Sequence, residues 1–423
     1  MFLEKVKELI RSHTQNDLFA STLSFFKSFL LRLVVQGVYF VILARSFAPE
    51  KYGAYVGIVA IISIFIPFAN WGSGLILIQE ASRERDRFKE YWGTAILKSL
   101  VFGSIFISLI LIVYSFFPIE NISVLVVFFI GVANLIFFKF DEVARQALMA
   151  IGSLQQAARA LIILSLNRFV AAIAFIVLSP NASILRWSIL YCIATLFSAI
   201  ISSYLVVREA GYPKLKLAKI NTEFKLGFSF AVSVSAQNIY NDLDKSMLAK
   251  LSTLEATGIY GAAYHILNVA FTPVQSLALA SFRKFFQQGA SGIKGSFALC
   301  KKLLPVTWGY TILAILGLII TAPIIPVILG TEYQQSAWAL MWLSPTILLR
   351  ATHLFAADTL TGANYQSVRS TAQVLVAIIN GLLNFWLIPL YSWHGAIAAT
   401  IASEFLLAVF LWGAVYRYSK QSA

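Results

Sequence analysis

Long apolar runs separated by short polar stretches set the pattern of this chain. They fall at 18–44, 53–78, 93–117, 122–147, 154–178, 184–207, 226–249, 257–282, 303–328, 336–359, 366–390 and 394–416. A bilayer's hydrocarbon core takes about 20 helical residues, so each run predicts a transmembrane helix. Twelve spans, an even number, place both termini on one side. Ahead of the first run, Phe2, Leu3, Val6, Leu9 and Ile10 share one helical face, with Glu4, Lys5, Lys7 and Glu8 largely elsewhere. That spacing predicts a short interfacial helix over residues 1–17.

Composition agrees with the pattern. Of 423 residues, 59% are hydrophobic and 12% charged, and the mean hydropathy is +0.78. Soluble domains run near 45–50% apolar and about 25% charged. A water-soluble enzyme and a nucleic-acid-binding module are therefore excluded, despite a net charge of +14. The basic residues instead give orientation. Arg83, Arg85, Arg87 and Lys89, then Lys214, Lys216, Lys219 and Lys225, lie in loops on the side of the termini. The opposite loops, counted with the span edges, carry Arg45, Lys51, Arg186 and Lys250. The positive-inside rule puts both termini in the cytoplasm. Two cysteines, Cys192 and Cys300, give no disulfide framework.

An internal repeat runs through the chain. Residues 43–55 (LARSFAPEKYGAY) match 248–260 (LAKLSTLEATGIY) at an offset of 205, with Arg45 meeting Lys250, Glu50 meeting Glu255 and Gly53 meeting Gly258. Gly152, Gln156 and Arg159 meet Gly362, Gln366 and Arg369 at an offset of 210. Matching spans are six apart, so they cross in the same direction and predict parallel repeats about an axis along the membrane normal. The expected organisation is an N-terminal six-helix bundle at 18–207, a basic linker at 208–225, a C-terminal six-helix bundle at 226–416 and a tail at 417–423, all α-helical.

Charges inside spans carry the candidate chemistry, because burying one mid-span costs about 2.5–3.5 kcal/mol on insertion scales. Lys27, Arg32, Arg159, Arg168, Arg350 and Arg369 form a cationic set suited to an anionic cargo, and arginine grips phosphate bidentately. For Arg168 a buried ion pair is the competing role. Asp242, Asp244, Asp358 and Glu404 are candidate ion-coupling carboxylates, although Lys245 can pair locally with the first two and Glu404 can hydrogen-bond a neighbouring helix. Lys98, five residues into its span, is expected to snorkel to the headgroups. His265 and His353 read as packing residues, and Lys139, Asp141, Glu142 and Arg145 as a locally balanced set. No HExxH, CxxC, GxSxG or phosphate-binding glycine loop is present. Neither a cofactor nor a metal site is expected, nor enzymatic activity.

The stretches LARSFAPEKYGAY, NDLDKSMLAKLSTLEATGIYGAAYHI, ILGTEYQQSAW and INGLLNFWLIPLYSWHGAIAATIASE together resemble Wzx-type O-antigen flippases of the multidrug/oligosaccharidyl-lipid/polysaccharide exporter superfamily. The resemblance spans essentially the whole chain and specifies the superfamily better than the substrate. It implies two bundles in a V with a central cleft. It also implies transfer of an undecaprenyl-diphosphate-linked oligosaccharide from the cytoplasmic to the periplasmic leaflet of a bacterial inner membrane. The implied partners are the lipid-linked substrate, membrane lipids, and a polysaccharide polymerase with its chain-length regulator, with no nucleic acid. A cation-coupled drug exporter of the same superfamily and a non-transporting scaffold of a polysaccharide assembly complex are the alternatives. The cations of span 1 count against the exporter.

Overall fold

The computed structural model describes the backbone of residues 2–74, 76–78, 85–119, 122–178, 182–215, 224–290 and 292–421. Side chains are described from residue 33 onward, except at the intervening gaps and at scattered positions in 85, 154, 224–240 and 279–283. Among the described residues there is no strand, and a helix lies at each of the twelve predicted spans.

In chain order these helices are α1 (2–47), α2 (49–69), α3 (Phe88–Phe116), α4 (Val124–Ala150), α5 (Leu154–Leu178) and α6 (Ile184–Ala210). Then follow α7 (Phe224–Leu251), α8 (Leu254–Gly289), α9 (Ile293–Thr321), α10 (Gln334–Leu343 and Thr346–Gly362), α11 (366–391) and α12 (393–421). The α1–α2 break is at Ala48 (φ 55, ψ 171). The following Pro49 disfavours helical backbone at Ala48 and lacks the N–H that would continue the ladder. The α11–α12 break is at Ser392 (φ 53, ψ −134). Because α1 begins at residue 2 and runs unbroken to residue 47, no break sets the expected interfacial segment apart from span 1.

Among the described residues, seven helical stretches are long and apolar enough to cross a membrane; Leu33–Ala69 and Gln366–Gln421 each hold two predicted spans. α7, which carries Asp242, Asp244 and Lys245, and α8 and α10 are not among them. α8 carries Tyr260, Tyr264, His265 and Asn268, and α10 is divided at Ser344 and Pro345. Those departures from an apolar span mark the helices that hold buried polar groups.

The chain forms two compact units. The first comprises residues 1–42, 68–112 and 124–230; the second comprises 43–67, 113–123 and 231–423. A core in the first unit joins Trp92 and Ala95 of α3, Val143, Ala147 and Leu148 of α4, Ala157 of α5 and Val206 of α6. A core in the second joins Ile293 of α9, Ala356, Ala357 and Leu360 of α10, Val376 of α11, and Leu407, Leu411 and Val415 of α12. The contributing helices are six apart, α3 with α9 through α6 with α12, as the repeat requires.

Candidate functional site

The second unit holds a continuous polar network built from five helices, α2, α7, α8, α10 and α12. On α7, the Lys245 ammonium donates to Asp242 Oδ1 at 2.6 Å and to the Asn241 carbonyl at 2.6 Å, and lies 3.9 Å from Asp244 Oδ1. Asp242 also accepts from Ser63 Oγ at 3.0 Å. Asp244, buried, accepts from the Tyr260 hydroxyl of α8, which meets Thr400 Oγ1 of α12 at 3.0 Å. Residues 260, 264 and 268 recur every four positions, so they stand on one face of α8.

Tyr264 joins two cations. Its ring centroid is 3.8 Å from Lys245 Nζ, and its hydroxyl accepts from Arg350 Nη2. Arg350, on α10, is fully engaged: Nη1 donates to Asn268 Oδ1 at 3.0 Å and Nε to Glu404 Oε1 at 2.8 Å. The other Glu404 oxygen faces His353 Nε2 at 2.6 Å. Three carboxylates, Asp242, Asp244 and Glu404, thus meet two permanent cations and one histidine. Buried charges persist only when paired and hydrogen-bonded in this way.

Two sequence expectations change here. Arg350 is not an unpaired cation, because Glu404, at 1% exposure, neutralises it from α12. His353 is more than a packing residue. The candidate carboxylates also divide: Asp242, Asp244 and Glu404 share the network, whereas Asp358 pairs with Arg369 at 3.5 Å. Arg369 additionally donates to Thr361 Oγ1 at 2.8 Å.

In the first unit the polar groups gather around α4, whose ladder widens into a π turn at Ala133–Phe137. Such turns re-aim the residues that follow and recur at functional sites. Asn134 Oδ1 accepts from the Tyr191 hydroxyl of α6 at 3.0 Å. The Arg168 guanidinium of α5 stacks 4.7 Å from the Tyr191 ring and 5.5 Å from the Phe138 ring. The quadrupole of each ring attracts the guanidinium lying over it. Further along α4, Lys139 pairs with Glu142 at 2.6 Å, and Arg145 with buried Asp141 at 2.8 Å. Arg159 is exposed and touches Gln156 of its own helix at 3.4 Å. Lys27 and Arg32 lie on α1, with side chains outside the described residues.

Lys98 does not snorkel. It is 1% exposed, as is Trp92, with Ala95 at 0%. Residues 92, 95 and 98 follow a helical period, so Lys98 occupies the inward face of α3, and Leu100, Val101, Ile105 and Leu109 take the exposed one. Sequence reading gave no chemical role to Ser63, Tyr260, Tyr264, Asn268, Asn134 or Tyr191. The four-residue spacing of Tyr260, Tyr264 and Asn268 was the available signal.

The family model for polysaccharide biosynthesis proteins matches residues 18–288. The chain belongs to that family. Among solved structures, the family member is similar to the lipid II flippase MurJ in an inward closed conformation, at 15% identity and a TM-score of 0.73, covering 93% of this chain and 87% of that one. It is also similar to an inward-facing multidrug resistance MATE family transporter of the MOP superfamily, at 13% identity and a TM-score of 0.72, covering 93% and 96%. A third, a MOP superfamily transporter from Pyrococcus furiosus, gives 13% identity, a TM-score of 0.64 and coverage of 93% and 95%. These likenesses identify the fold of a multi-pass, all-helical membrane transporter. No curated protein sequence matches the chain. Among the described residues, no group of three His, Cys, Asp or Glu is placed to hold a metal ion.

Proposed function

We propose that this protein is a flippase of the Wzx type, carrying an undecaprenyl-diphosphate-linked oligosaccharide from the cytoplasmic to the periplasmic leaflet of a bacterial inner membrane by alternating access. Both termini are assigned to the cytoplasm, and the bundles to 18–207 and 226–416. A polymerase and its chain-length regulator would take up the product. The observation that carries this reading is the match to a polysaccharide biosynthesis family in a chain with a transporter fold. Its chemistry suits the cargo, since a diphosphate headgroup cannot cross hydrocarbon unless its polar groups are satisfied.

Arg168 leads the cationic set in this reading. It stands midway along α5, where a cation is costly without a role, and its guanidinium lies against the Tyr191 and Phe138 rings. Arg159, exposed at the start of α5, and Lys27 and Arg32 complete the phosphate-contacting candidates. The shared network of Asp242, Asp244 and Glu404 is assigned to ion coupling, because its fixed charges leave one carboxylate over for a proton or cation.

The test is transport of a fluorescent polyprenyl-diphosphate oligosaccharide in proteoliposomes. Arg168→Ala is expected to lower the rate at least about tenfold at equal insertion, with Arg168→Lys recovering part of it, since lysine keeps the charge without the planar fork. Full activity of Arg168→Gln would overturn the role of that arginine. The MATE likeness supports a second reading, a cation-coupled exporter of small molecules. Efflux of a cationic dye with no movement of the lipid-linked oligosaccharide would favour it.

A further inference from the structure

Within the second unit, α10 and α12 leave an open groove of about 590 Å³ between them. Residues 394, 398, 402 and 405 recur at helical spacing and line it from α12, and Trp342 and Leu349 line it from α10. Ala398 and Ala402 leave the space, because their side chains end at Cβ. Trp342 and Phe405, both exposed, stand as its walls. A second cavity, of about 330 Å³, shares Trp342 and His394 with the first, so the two are continuous. It adds Gln335, Trp338 and Trp393 and forms a mouth where α12 begins, at the end of the protein opposite its termini.

The dimensions and chemistry of the groove select its occupant. From His394 to Phe405 it runs about 16 Å at the helical rise, which matches the hydrocarbon depth of one leaflet, about 15 Å. Its volume over that length is too slender for an α-helix with its side chains, about 10–12 Å across, so it takes a hydrocarbon chain rather than a helix of another protein. The mouth is polar where the groove is not. Trp393 Nε1 donates to Gln335 Oε1 at 3.1 Å, and the His394 ring stacks on the Trp393 ring with centroids 3.6 Å apart. With its oxygen engaged, Gln335 offers its amide NH2, beside the exposed Trp338 indole and the exposed His394 imidazole. Those are hydrogen-bond donors, and no carboxylate lines the mouth. Indoles at this level are suited to the headgroup region, and donors without an acid suit the acceptor oxygens of a phosphate ester.

We propose that this groove binds one glycerophospholipid of the leaflet at the end opposite the termini, with an acyl chain between α10 and α12 and the phosphate ester among Gln335, Trp338 and His394. Glu404, 1% exposed and paired with Arg350, precedes Phe405 at the inner end of the groove. A chain bound there keeps water from the seam in which that pair is buried, where attraction between charges is strongest when dry. The site is independent of the cargo that the protein carries.

Two measurements on the full-length protein test it. In the first, a phosphatidylglycerol with a photoreactive diazirine in one acyl chain is bound to the delipidated protein and irradiated. Labelled peptides are expected from residues 338–349 and 394–405, and unlabelled phosphatidylglycerol should compete the label away. Label in equal yield at other exposed apolar positions, such as Leu313 of α9 and Leu382 of α11, would overturn the site.

In the second, native mass spectrometry follows retention of phosphatidylglycerol, expected at one molecule per chain after delipidation. Ala398→Phe with Ala402→Phe fills the groove and should weaken retention at least about tenfold. Leu313→Phe, on the exposed face of α9, should leave it unchanged. Gln335→Leu with His394→Leu replaces two exposed side chains, spares the apolar floor, and should weaken retention about three- to tenfold. Wild-type retention by both paired variants would refute the proposal. Polyprenyl phosphate displacing the phospholipid at a much lower concentration would overturn the choice of lipid.

Discussion

The two units of this chain handle buried charge in opposite ways. In the first, the ion pairs around α4 stay on one helix: Lys139 with Glu142, three residues apart, and Arg145 with Asp141, four apart. In the second, Arg350 of α10 meets Glu404 of α12, and Tyr260 and Tyr264 of α8 tie α7 to α12 and α10. The repeat mates Arg159 and Arg369 show the same contrast. Arg159 is exposed and touches a glutamine one turn away, whereas Arg369 is held by Asp358 and Thr361 across a turn between helices. A pair within one helix stabilises that helix and leaves its neighbours free to shift. A pair between helices fixes their register, so the Arg350–Glu404 tie holds α10 and α12 together more firmly than the within-helix pairs around α4 hold that helix to its neighbours.

The comparison breaks most easily at Glu404. Glu404→Ala leaves Arg350 buried without its carboxylate and should destabilise the detergent-solubilised protein by about 3–4 kcal/mol in reversible unfolding. The combined Arg350→Met, Glu404→Leu protein should recover more than half of that loss. A cost below about 1 kcal/mol for Glu404→Ala would mean that the tie between α10 and α12 is not structural.

Next in size is Lys245→Met, which strands Asp242 and Asp244 together and should cost about 2–3 kcal/mol. Adding Asp242→Asn should restore part of it, since only one carboxylate then lacks a partner. Asp358→Asn, which weakens a single pair, is expected to cost about 1–2 kcal/mol by the same measurement. The smallest effects sharpen the contrast from the other side. Glu142→Gln removes a within-helix pair but leaves an amide oxygen within reach of Lys139, whose side chain is 5% exposed, and should cost about 0.5–1 kcal/mol. Arg159→Gln should be as mild in unfolding, yet lower the transport rate if that arginine meets phosphate. Comparable losses for Glu142→Gln and Asp358→Asn would erase the distinction between the units.

Much of the fold was legible because apolar runs of bilayer length leave few alternatives. Each of the twelve predicted spans carries a helix, and α5 matches its predicted bounds. The repeat was legible at Gly53 and Gly258, where a Cβ would lie 1.7 Å from the Leu254 carbonyl oxygen and 1.9 Å from the Pro49 carbonyl oxygen respectively, so only glycine fits. Less of the candidate site was. Arg350 read as an unmatched cation because Glu404 is 54 residues away, on a helix whose facing no local pattern reveals. Lys98 read as a snorkelling lysine from its depth in the span, although its spacing from Trp92 and Ala95 pointed inward.

By itself, the sequence determined that this is a membrane protein of twelve helices in two similar halves. Hydropathy and repeat spacing are properties of the chain alone, and the bilayer converts apolar runs of that length directly into spans. Tertiary structure alone decided which charges neutralise one another and that Tyr264 stands between Lys245 and Arg350. Those outcomes depend on the rotation and facing of helices far apart in sequence. Side-chain packing between helices sets that rotation, and no periodicity within a single helix encodes it.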